Sequence, residues 1–429
     1  MASIDRLSSL PDDVIYHILS FLPTKRSVAT SILGKRWRFL WAHVPCLDFS
    51  EDDFLEEGTQ ASDIIHRVIL QHKAKSLDTL TLRSINDNEY RLETLMTTVI
   101  DRGVQNLYLQ LDFSIFPRCI LNCKTIVDLF LDFYRAPLSA VYNVSLPSLK
   151  KFRVYSVVCE NDESLPHFLS GCPSLEELYM ELTAVGGGSF DYDYVGCINI
   201  SSPTLKTLKL DLYNLTRPSN FKHRMIINAP ALTYLQLYGY YLKCITVPIT
   251  TISLVEADIR LQRYDTTVVK FLQCYVKCLV ISGWELEEFV HRGVARSTGK
   301  FDNLTKLELL WSFKWSLLVK FLEIADNLEV LICPQIDLEK GYFCPEPEQV
   351  PKCLLSCLRI IKTKWVPFNE QIFDMVRYLL RNSRVLERME IFTPSQPYID
   401  FETKFQAHQR ISLFERGSNA CELAFLSDC

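Results

Sequence analysis

Leu77-Asp78-Thr79-Leu80-Thr81-Leu82 decides how this chain is read. Its pattern, apolar-x-x-apolar-x-apolar, returns as Val104-Gln105-Asn106-Leu107-Tyr108-Leu109 and again as Ile126-Val127-Asp128-Leu129-Phe130-Leu131. Further copies are Leu149-Phe152-Val154, Leu175-Leu178-Met180, Leu205-Leu208-Leu210 and Leu232-Leu235-Leu237. A weaker one, Leu254-Ala257-Ile259, precedes Val276-Leu279-Ile281, Leu304-Leu307-Leu309 and Leu328-Leu331-Cys333. Successive starts lie 22 to 30 residues apart, the period of leucine-rich repeats. One such hexapeptide arises by chance in any leucine-rich helix; a regularly spaced series does not.

The spacing has a physical meaning. The last two apolar positions of each hexapeptide alternate along a short strand and point inward, and the residue between them points outward. The segment between strands returns the chain. Leu165–Pro173 is one return, stopped by Gly171 and Pro173, and Trp315–Asn327 is another, with Leu317, Leu318, Phe321, Leu322 and Ala325 at helical spacing. The asparagine that many such repeats place three residues after the last apolar position is missing, because Ile85, Asp112, Tyr134, Val157, Thr183 and Tyr213 stand there. The expectation is therefore an irregular, partly opened solenoid from which Ala184–Ile198 loops out.

Solenoids bind partners along their strand-lined face. The outward residues are Thr81, Tyr108, Phe130, Arg153, Tyr179, Lys209, Gln236 and Asp258, with Tyr155, Tyr234 and Tyr238 in the neighbouring row. Aromatic rings beside Arg and Lys suit a protein-binding surface. The candidate target-binding set is Tyr108, Phe130, Arg153, Tyr155, Tyr179, Lys209, Tyr234 and Gln236. Farther along, Val280 and Ile332 hold the same row, which predicts that this end is covered from within.

Composition agrees with this picture. The chain has 429 residues, with 61 leucines against 14 glycines, 48% hydrophobic and 23% charged residues, the balance of a folded globular protein. No apolar run approaches the roughly 20 residues that cross a membrane. The net charge of −5 supplies no basic field, so nucleic acid is disfavoured as a partner. An odd cysteine count of 15 without an N-terminal apolar segment predicts reduced thiols in cytoplasm or nucleus. Cys119/Cys123, Cys274/Cys278 and Cys353/Cys357 sit four apart, no C-x-x-C pair occurs, and buried filler is the expected role.

The first 50 residues form a separate unit. Pro11-Asp12-Asp13 opens a helix whose apolar residues are Val14, Ile15, Ile18, Leu19 and Leu22. Pro23 ends it, Thr24 is placed to cap a second helix with Val28, Ile32 and Leu33, and Lys35–Trp41 reads as a third, basic and aromatic helix. Three short helices cannot enclose a large core, so their surplus apolar surface implies a partner. The acidic stretch Asp48, Glu51, Asp52, Asp53, Glu56 and Glu57 reads as a solvated linker.

Leu-Pro-Asp-Asp-x-x-x-x-Ile-Leu-Ser-Phe-Leu-Pro from Leu10, with Ser31-Ile32-Leu33-Gly34-Lys35-Arg36-Trp37-Arg38-x-Leu40-Trp41, resembles a plant F-box. Gly34 stands where relatives often have serine. The resemblance implies docking on the Skp-type adaptor of a Skp–cullin–F-box ubiquitin ligase, and through it on cullin and RING subunits. The implied adaptor contacts are Leu10, Pro11, Ile15, Leu19, Leu22, Val28, Ile32, Leu33, Trp37 and Leu40. Some of them must also hold the helices together, and Ile18, Leu19 and Leu33 are expected to do both.

The C-terminal unit follows a proline- and acid-rich hinge, Pro334–Val350. Pro351–Leu358 reads as a repeat-like strand, Gln371–Arg381 as an amphipathic helix, and Leu386-x-x-Met389-x-Ile391 and Cys421-x-Leu423-x-Phe425 as strands. Residues 350–425 resemble the FBD domain, and the order of units is that of plant F-box/FBD/leucine-rich-repeat proteins.

Phosphate-cradling, hydrolase-elbow and zinc motifs are missing from the sequence. Asp191-Tyr192-Asp193-Tyr194-Val195-Gly196 opens like a calcium loop, but its twelfth position is Ser202 rather than glutamate. No catalytic residue, cofactor or metal is expected. The expected fold is α/β: a three-helix F-box (4–50), an acidic linker and connecting helix (51–75), a solenoid with parallel strands on the concave face and helices or turns on the convex face (76–345), and an FBD domain continuing or capping it (350–425). The expected function is a non-catalytic, target-recognising subunit of the ligase. A small-molecule-gated receptor or a ligase-independent scaffold of the same architecture are the alternatives.

Overall fold

The computed structural model describes residues 7–54, 61–85, 88–111, 117–133, 137–139, 141–183, 197–213, 224–241, 244–246, 253–263, 268, 272–273, 275–282, 299–310, 315–333, 346–347, 349–363, 370–393 and 401–427. The chain divides into two compact units, Met1–Leu215 and Thr216–Cys429.

The first unit opens with α1 (Asp12–Leu19) and α2 (Thr24–Ala29), followed by 3-10 turns Thr30–Leu33 and Trp37–His43. Pro11 and Pro23 stand at the N-caps, where a missing N–H costs nothing. The hydroxyl of Thr24 does not cap α2 as the sequence suggested; it accepts the Asp48 N–H at 2.8 Å. The expected third helix is a 3-10 segment that buries Trp37, Leu40 and Trp41. Arg36 ties it to the N-terminal segment through the carbonyls of Ser8 and Leu10 and the Asp12 carboxylate.

A parallel sheet follows. Its strands are β1 (Cys46–Ser50), β2 (Thr79–Arg83), β3 (Asn106–Leu111), β4 (Asp128–Phe133), β6 (Lys151–Cys159), β7 (Glu177–Leu182) and β9 (Thr207–Asp211), hydrogen-bonded in that order. The short β5 (Pro137–Leu138) pairs with the end of β6, and β8 (Cys197–Ser201) precedes β9. Helices α3 (Ala61–Gln71), α4 (Glu89–Asp101) and α5 (Ser164–Ser170) return the chain. Asn88 caps α4 by accepting the Arg91 N–H.

The second unit repeats the scheme. Its parallel sheet runs β11 (Tyr234–Tyr241), β13 (Glu256–Arg263), β14 (Cys278–Ser282), β15 (Lys306–Leu309), β16 (Val330–Cys333), β17 (Ile360–Thr363), β18 (Arg388–Thr393) and β19 (Glu422–Ser427). A separate pair, β10 (Arg224–Asn228) and β12 (Cys244–Thr246), is also parallel. Returns include α6 (Trp315–Ile324), α7 (Lys352–Ser356), α8 (Glu370–Asn382) and α9 (Phe401–Ser412).

Every apolar repeat position named above is buried, which holds the register by the hydrophobic effect at about 1.5–3 kcal/mol of gross transfer energy for each large side chain. Successive repeats are joined by backbone hydrogen bonds before each strand begins. At the strand entrances one carbonyl accepts two successive N–H groups from the next repeat: Asp78 from Gln105 and Asn106, Gln105 from Val127 and Asp128, Val127 from Lys150 and Lys151. The same arrangement recurs in the second unit at Thr233, Val255, Lys277, Thr305, Glu329 and Arg359.

Several expectations are corrected. Of the acidic stretch, Asp48 lies in β1, where Arg83 pairs with it, and Glu51–Phe54 is a 3-10 turn with Glu51 and Asp52 exposed. Pro351–Leu358 is not a strand; Lys352–Ser356 is helical, and the rung is β17. Of the segment Ala184–Ile198, Cys197 and Ile198 belong to β8, and 184–196, with the calcium-like sequence, lies outside the described residues. Most of the 334–350 hinge lies outside them too. The C-terminal strands β17–β19 extend the sheet rather than covering it, and Val280 and Ile332 alternate along their row with Glu308 and Lys362.

Candidate interaction surfaces

The N-terminal helices build a two-sided unit. Ile15, Leu19, Trp37, Leu40 and Val44 form a small core, with Leu10, Tyr16, Leu22 and Cys46 packed against it. The Trp37 indole N–H donates to the Ser8 hydroxyl at 2.8 Å, satisfying the polar edge of a buried ring. Four of the ten residues expected to touch an adaptor, Ile15, Leu19, Trp37 and Leu40, therefore face inward, at most 6% exposed. Leu10, Leu22 and Val28 are half-buried, and Pro11, Ile32 and Leu33 are exposed.

The outer side is unusually apolar. Val14 and Ile18, spaced four apart, form an exposed stripe of α1 flanking Ile15 and Leu19, and Phe21 in the turn just after the helix is 75% exposed. Ile32 and Leu33 on the 3-10 turn are 89% and 62% exposed. Leu7 and Phe39 are exposed as well. Sequence reasoning placed Val14 and Ile18 in the apolar set of α1 and did not single out Leu7, Phe21 or Phe39. The available signal was that α1 is apolar on two faces, more than its own unit can cover.

His72, the first residue after α3, links the segment before the sheet to the N-terminal unit. Its Nε2–H donates to the Val44 carbonyl at 2.7 Å, and Arg102 reaches Nδ1 at 3.3 Å. Burial, the largest influence, holds its pKa below the ordinary histidine value.

On the outward face of the first unit's sheet, the register sets Asp48, Thr81, Tyr108, Phe130, Arg153, Tyr179 and Lys209 in one row. The predicted target-binding residues of this unit are thus brought together, all half-buried. Arg153 is held from two sides: its Nη2 donates to both Asp128 carboxylate oxygens at 2.9 and 3.0 Å, and its guanidinium lies 5.6 Å from the ring centres of Tyr108 and Phe130. The Tyr108 hydroxyl donates to Asp128 at 3.1 Å. Burial, and then the Asp128 charge, push that phenol's pKa up. The rings continue with Phe130–Tyr155 at 5.3 Å and Tyr155–Tyr179 at 4.7 Å.

Tyr234 and Gln236 belong to the second unit. Gln236 donates to Asp258 at 2.8 Å, and Arg260 holds the same buried carboxylate through two contacts of 2.8 Å. Along that sheet Glu390 is paired with Lys362 and Arg388.

Burial pushes the thiols of Cys119, Cys159, Cys172, Cys333 and Cys353 up to about 12, far from the range of a nucleophile or metal ligand. Among the described residues no cluster of His, Cys, Asp and Glu is placed to hold a metal ion, and no helix is long and apolar enough to cross a membrane.

Comparison with known proteins gives three matches along the chain. Residues 7–49 match the F-box domain model, 92–259 the model described as FBD-associated F-box protein At5g56370, LRR repeats, and 346–391 the FBD model. The chain is 30% identical to the FBD-associated F-box protein At3g52670 of Arabidopsis thaliana over 444 residues, covering 98% of this chain and 97% of that one. It is 31% identical to the F-box/LRR-repeat protein At4g14103 of the same plant, over 83% of this chain and 99% of the relative. A putative FBD-associated F-box protein, At5g56440, is 29% identical over 98% of this chain and its own full length.

Proposed function

Because the chain belongs to the plant F-box/FBD/leucine-rich-repeat family, we propose that it is the target-recognising subunit of a Skp–cullin–F-box ubiquitin ligase. The observation that carries this reading is the outer side of the N-terminal unit, where Val14, Ile18, Phe21, Ile32 and Leu33 stay exposed beside a small filled core. An apolar patch of this kind marks a protein interface. It fits a Skp-type adaptor, which connects the chain to cullin and RING subunits. Ile15, Leu19, Trp37 and Leu40 contribute by holding the patch in shape.

The outward face of the repeats then receives a target protein. The chain performs no chemistry itself in this reading: it holds the target near a ubiquitin-loaded enzyme, and the raised effective concentration accelerates transfer. Cytoplasm or nucleus is the matching compartment. The test is gel filtration with a purified Skp-type adaptor. The unmodified chain should co-elute, and Ile18→Asp with Ile32→Asp should abolish co-elution while thermal unfolding stays unchanged. Co-elution that survives both substitutions overturns the assignment.

A further inference from the structure

The cations of the N-terminal unit are not balanced as they are along the sheets. Residues 24–47 hold Lys25, Arg26, Lys35, Arg36 and Arg38 and no acidic residue, although the whole chain has a net charge of −5. Arg36 is engaged by Asp12 and by the Ser8 and Leu10 carbonyls, and Lys25 by the Asp53 carbonyl. Along the sheets, by contrast, Arg83, Arg153, Lys151 and Arg388 each meet a carboxylate.

One corner gathers cations that no carboxylate meets. In the 3-10 segment Trp37–His43, Trp37, Leu40 and Trp41 turn inward, and at about three residues per turn Arg38 and Phe39 are left outside. The segment after α3 is tied alongside, because the Ala42 carbonyl accepts the N–H groups of Lys73 and Ala74 at 2.7 and 3.1 Å. The Lys73 ammonium lies 5.4 Å from the centre of the Phe39 ring, and the Arg38 guanidinium 5.5 Å from it. Phe39 is 56% exposed, and both cations are exposed. Among the described residues neither the Arg38 nor the Lys73 side chain makes an ion pair or a hydrogen bond. Lys35, two residues after Leu33, extends the same sign to the exposed Ile32–Leu33 edge. The unit's own exposed acids sit on other elements, Asp13 in the first turn of α1 and Glu51 and Asp52 on the turn after β1.

The electrostatics of this corner favour an anion. A ring face attracts a cation without neutralising its charge, so an incoming carboxylate has no ion pair to break. Two like charges gathered on one ring repel each other, and a carboxylate beside both is attracted twice. Contact with Phe39 excludes water from the same spot, which strengthens that attraction. Range decides which charge a partner meets. The Debye length is about 8 Å at physiological salt, so the acids of the remote repeats are screened from a partner that touches Phe39, while Arg38 and Lys73 are not.

We propose that the Skp-type adaptor is acidic where it meets this corner: it places a carboxylate between Arg38 and Lys73, against Phe39, and this charge steers its approach. The inference rests on the reading of the N-terminal unit as the adaptor's docking site and adds the chemistry of the partner's rim. Rim charges act mainly on the association rate, whereas the apolar patch around Ile18 and Ile32 holds the complex once it has formed.

The test uses the full chain and a purified Skp-type adaptor in two measurements. Stopped-flow association should slow as salt rises, the signature of electrostatic steering. Arg38→Gln with Lys73→Gln should slow it by about tenfold at low salt, flatten the salt dependence and leave the dissociation rate nearly unchanged. Both side chains are exposed, so thermal unfolding should not move. Lys124→Gln with Lys277→Gln, at two exposed lysines of the repeats, removes equal charge and should leave association unchanged. In the second measurement a carbodiimide, which joins an amine to a carboxylate without a spacer, should link Lys73 to an Asp or Glu of the adaptor, as read by peptide mass spectrometry. Association that is independent of salt, equal slowing in the two double variants, or a complex in which Lys73 forms no cross-link overturns the proposal. Failure of the unmodified chain to co-elute overturns the adaptor reading and this one together, whereas co-elution with a salt-independent rate overturns the acidic rim alone.

Discussion

Leu19→Ala and Ile32→Ala, made separately, distinguish folding from docking in the N-terminal unit. Leu19 is 1% exposed and packs within the core of Ile15, Trp37, Leu40 and Val44. Truncating it removes transfer energy and leaves a cavity, a loss of about 2–5 kcal/mol. So small a core has little to spare. The expected result is faster hydrogen exchange at the amides of residues 12–19, with weaker adaptor binding as a consequence of unfolding. Ile32 is 89% exposed, so its truncation should change stability by less than about 0.5 kcal/mol. Covering an isoleucine side chain is worth about 1.5–3 kcal/mol, and alanine retains its β-carbon. A loss of about 2 kcal/mol, roughly 30-fold in Kd, follows if the adaptor covers Ile32. Titration calorimetry with the adaptor reads the Kd, and exchange mass spectrometry reads the fold. An Ile32→Ala protein that binds at full strength refutes its place in the interface. One that exchanges as fast as Leu19→Ala refutes the division of the unit into core and docking sides.

Three further outcomes test the structure. His72 has a folded pKa below its unfolded value of about 6.5, so the unfolded chain binds the proton more readily; its contribution is full above pH ~6.5 and is lost as pH falls below that toward the folded pKa. His72→Gln can keep a donor to the Val44 carbonyl and should flatten part of the drop in Tm between pH 7.5 and 5.5, whereas an unchanged pH profile contradicts the burial of His72. Thiols pushed up to about 12, Cys159, Cys172, Cys333 and Cys353 among them, should resist iodoacetamide in the native chain at pH 8 and react fully in urea, as read by peptide mass spectrometry. Native labelling of Cys172 or Cys333 would show that the turn after α5 or the end of β16 is open. A β-carbon on Gly171 would sit 2.4 Å from the Val144 carbonyl oxygen, so Gly171→Ala should destabilise by about 1–3 kcal/mol, and a denaturation midpoint equal to that of the unmodified chain rules out this close approach.

The repeats were legible because strand periodicity and burial coincide at every rung: a residue that must face inward is apolar, and the one beside it is free to vary. Where the sequence misled, the same rule held with a disguised end. Val44-x-x-Leu47-x-Phe49 is a rung, with all three side chains buried, but the acids beside it read as a linker. Leu358-x-x-Ile361-x-Thr363 is another, closed by a buried threonine, while the preceding Cys353-Leu354-Leu355 imitates a strand and folds as a helix behind the Pro351 N-cap. In α1 periodicity alone could not choose between Ile15/Leu19 and Val14/Ile18 as the core side, because both stripes are apolar at helical spacing. That choice is made by Trp37 and Leu40, whose packing against α1 depends on a 3-10 path that the pattern does not encode.

The ladder also explains why the two units should answer differently to substitution on their outward faces. In-register parallel strands stack the same position of each repeat beside its neighbours, so a surface is written one residue per rung. In the second unit these residues satisfy each other: Asp258 is held by Arg260 and Gln236, and Glu390 by Lys362 and Arg388. A target pressed onto them would have to break pairs already made, and truncating one partner strands a largely buried charge. Substitutions there should appear mainly as lost stability. At the Tyr155–Tyr179 corner of the first unit, a register shift between β6 and β7 accompanies two aromatic rings whose centres lie 4.7 Å apart. An aromatic face gains contact area from a partner's side chain without breaking a charge pair. Substitutions at that corner should therefore cost recognition while the fold is kept, which is the combination a target-binding surface requires.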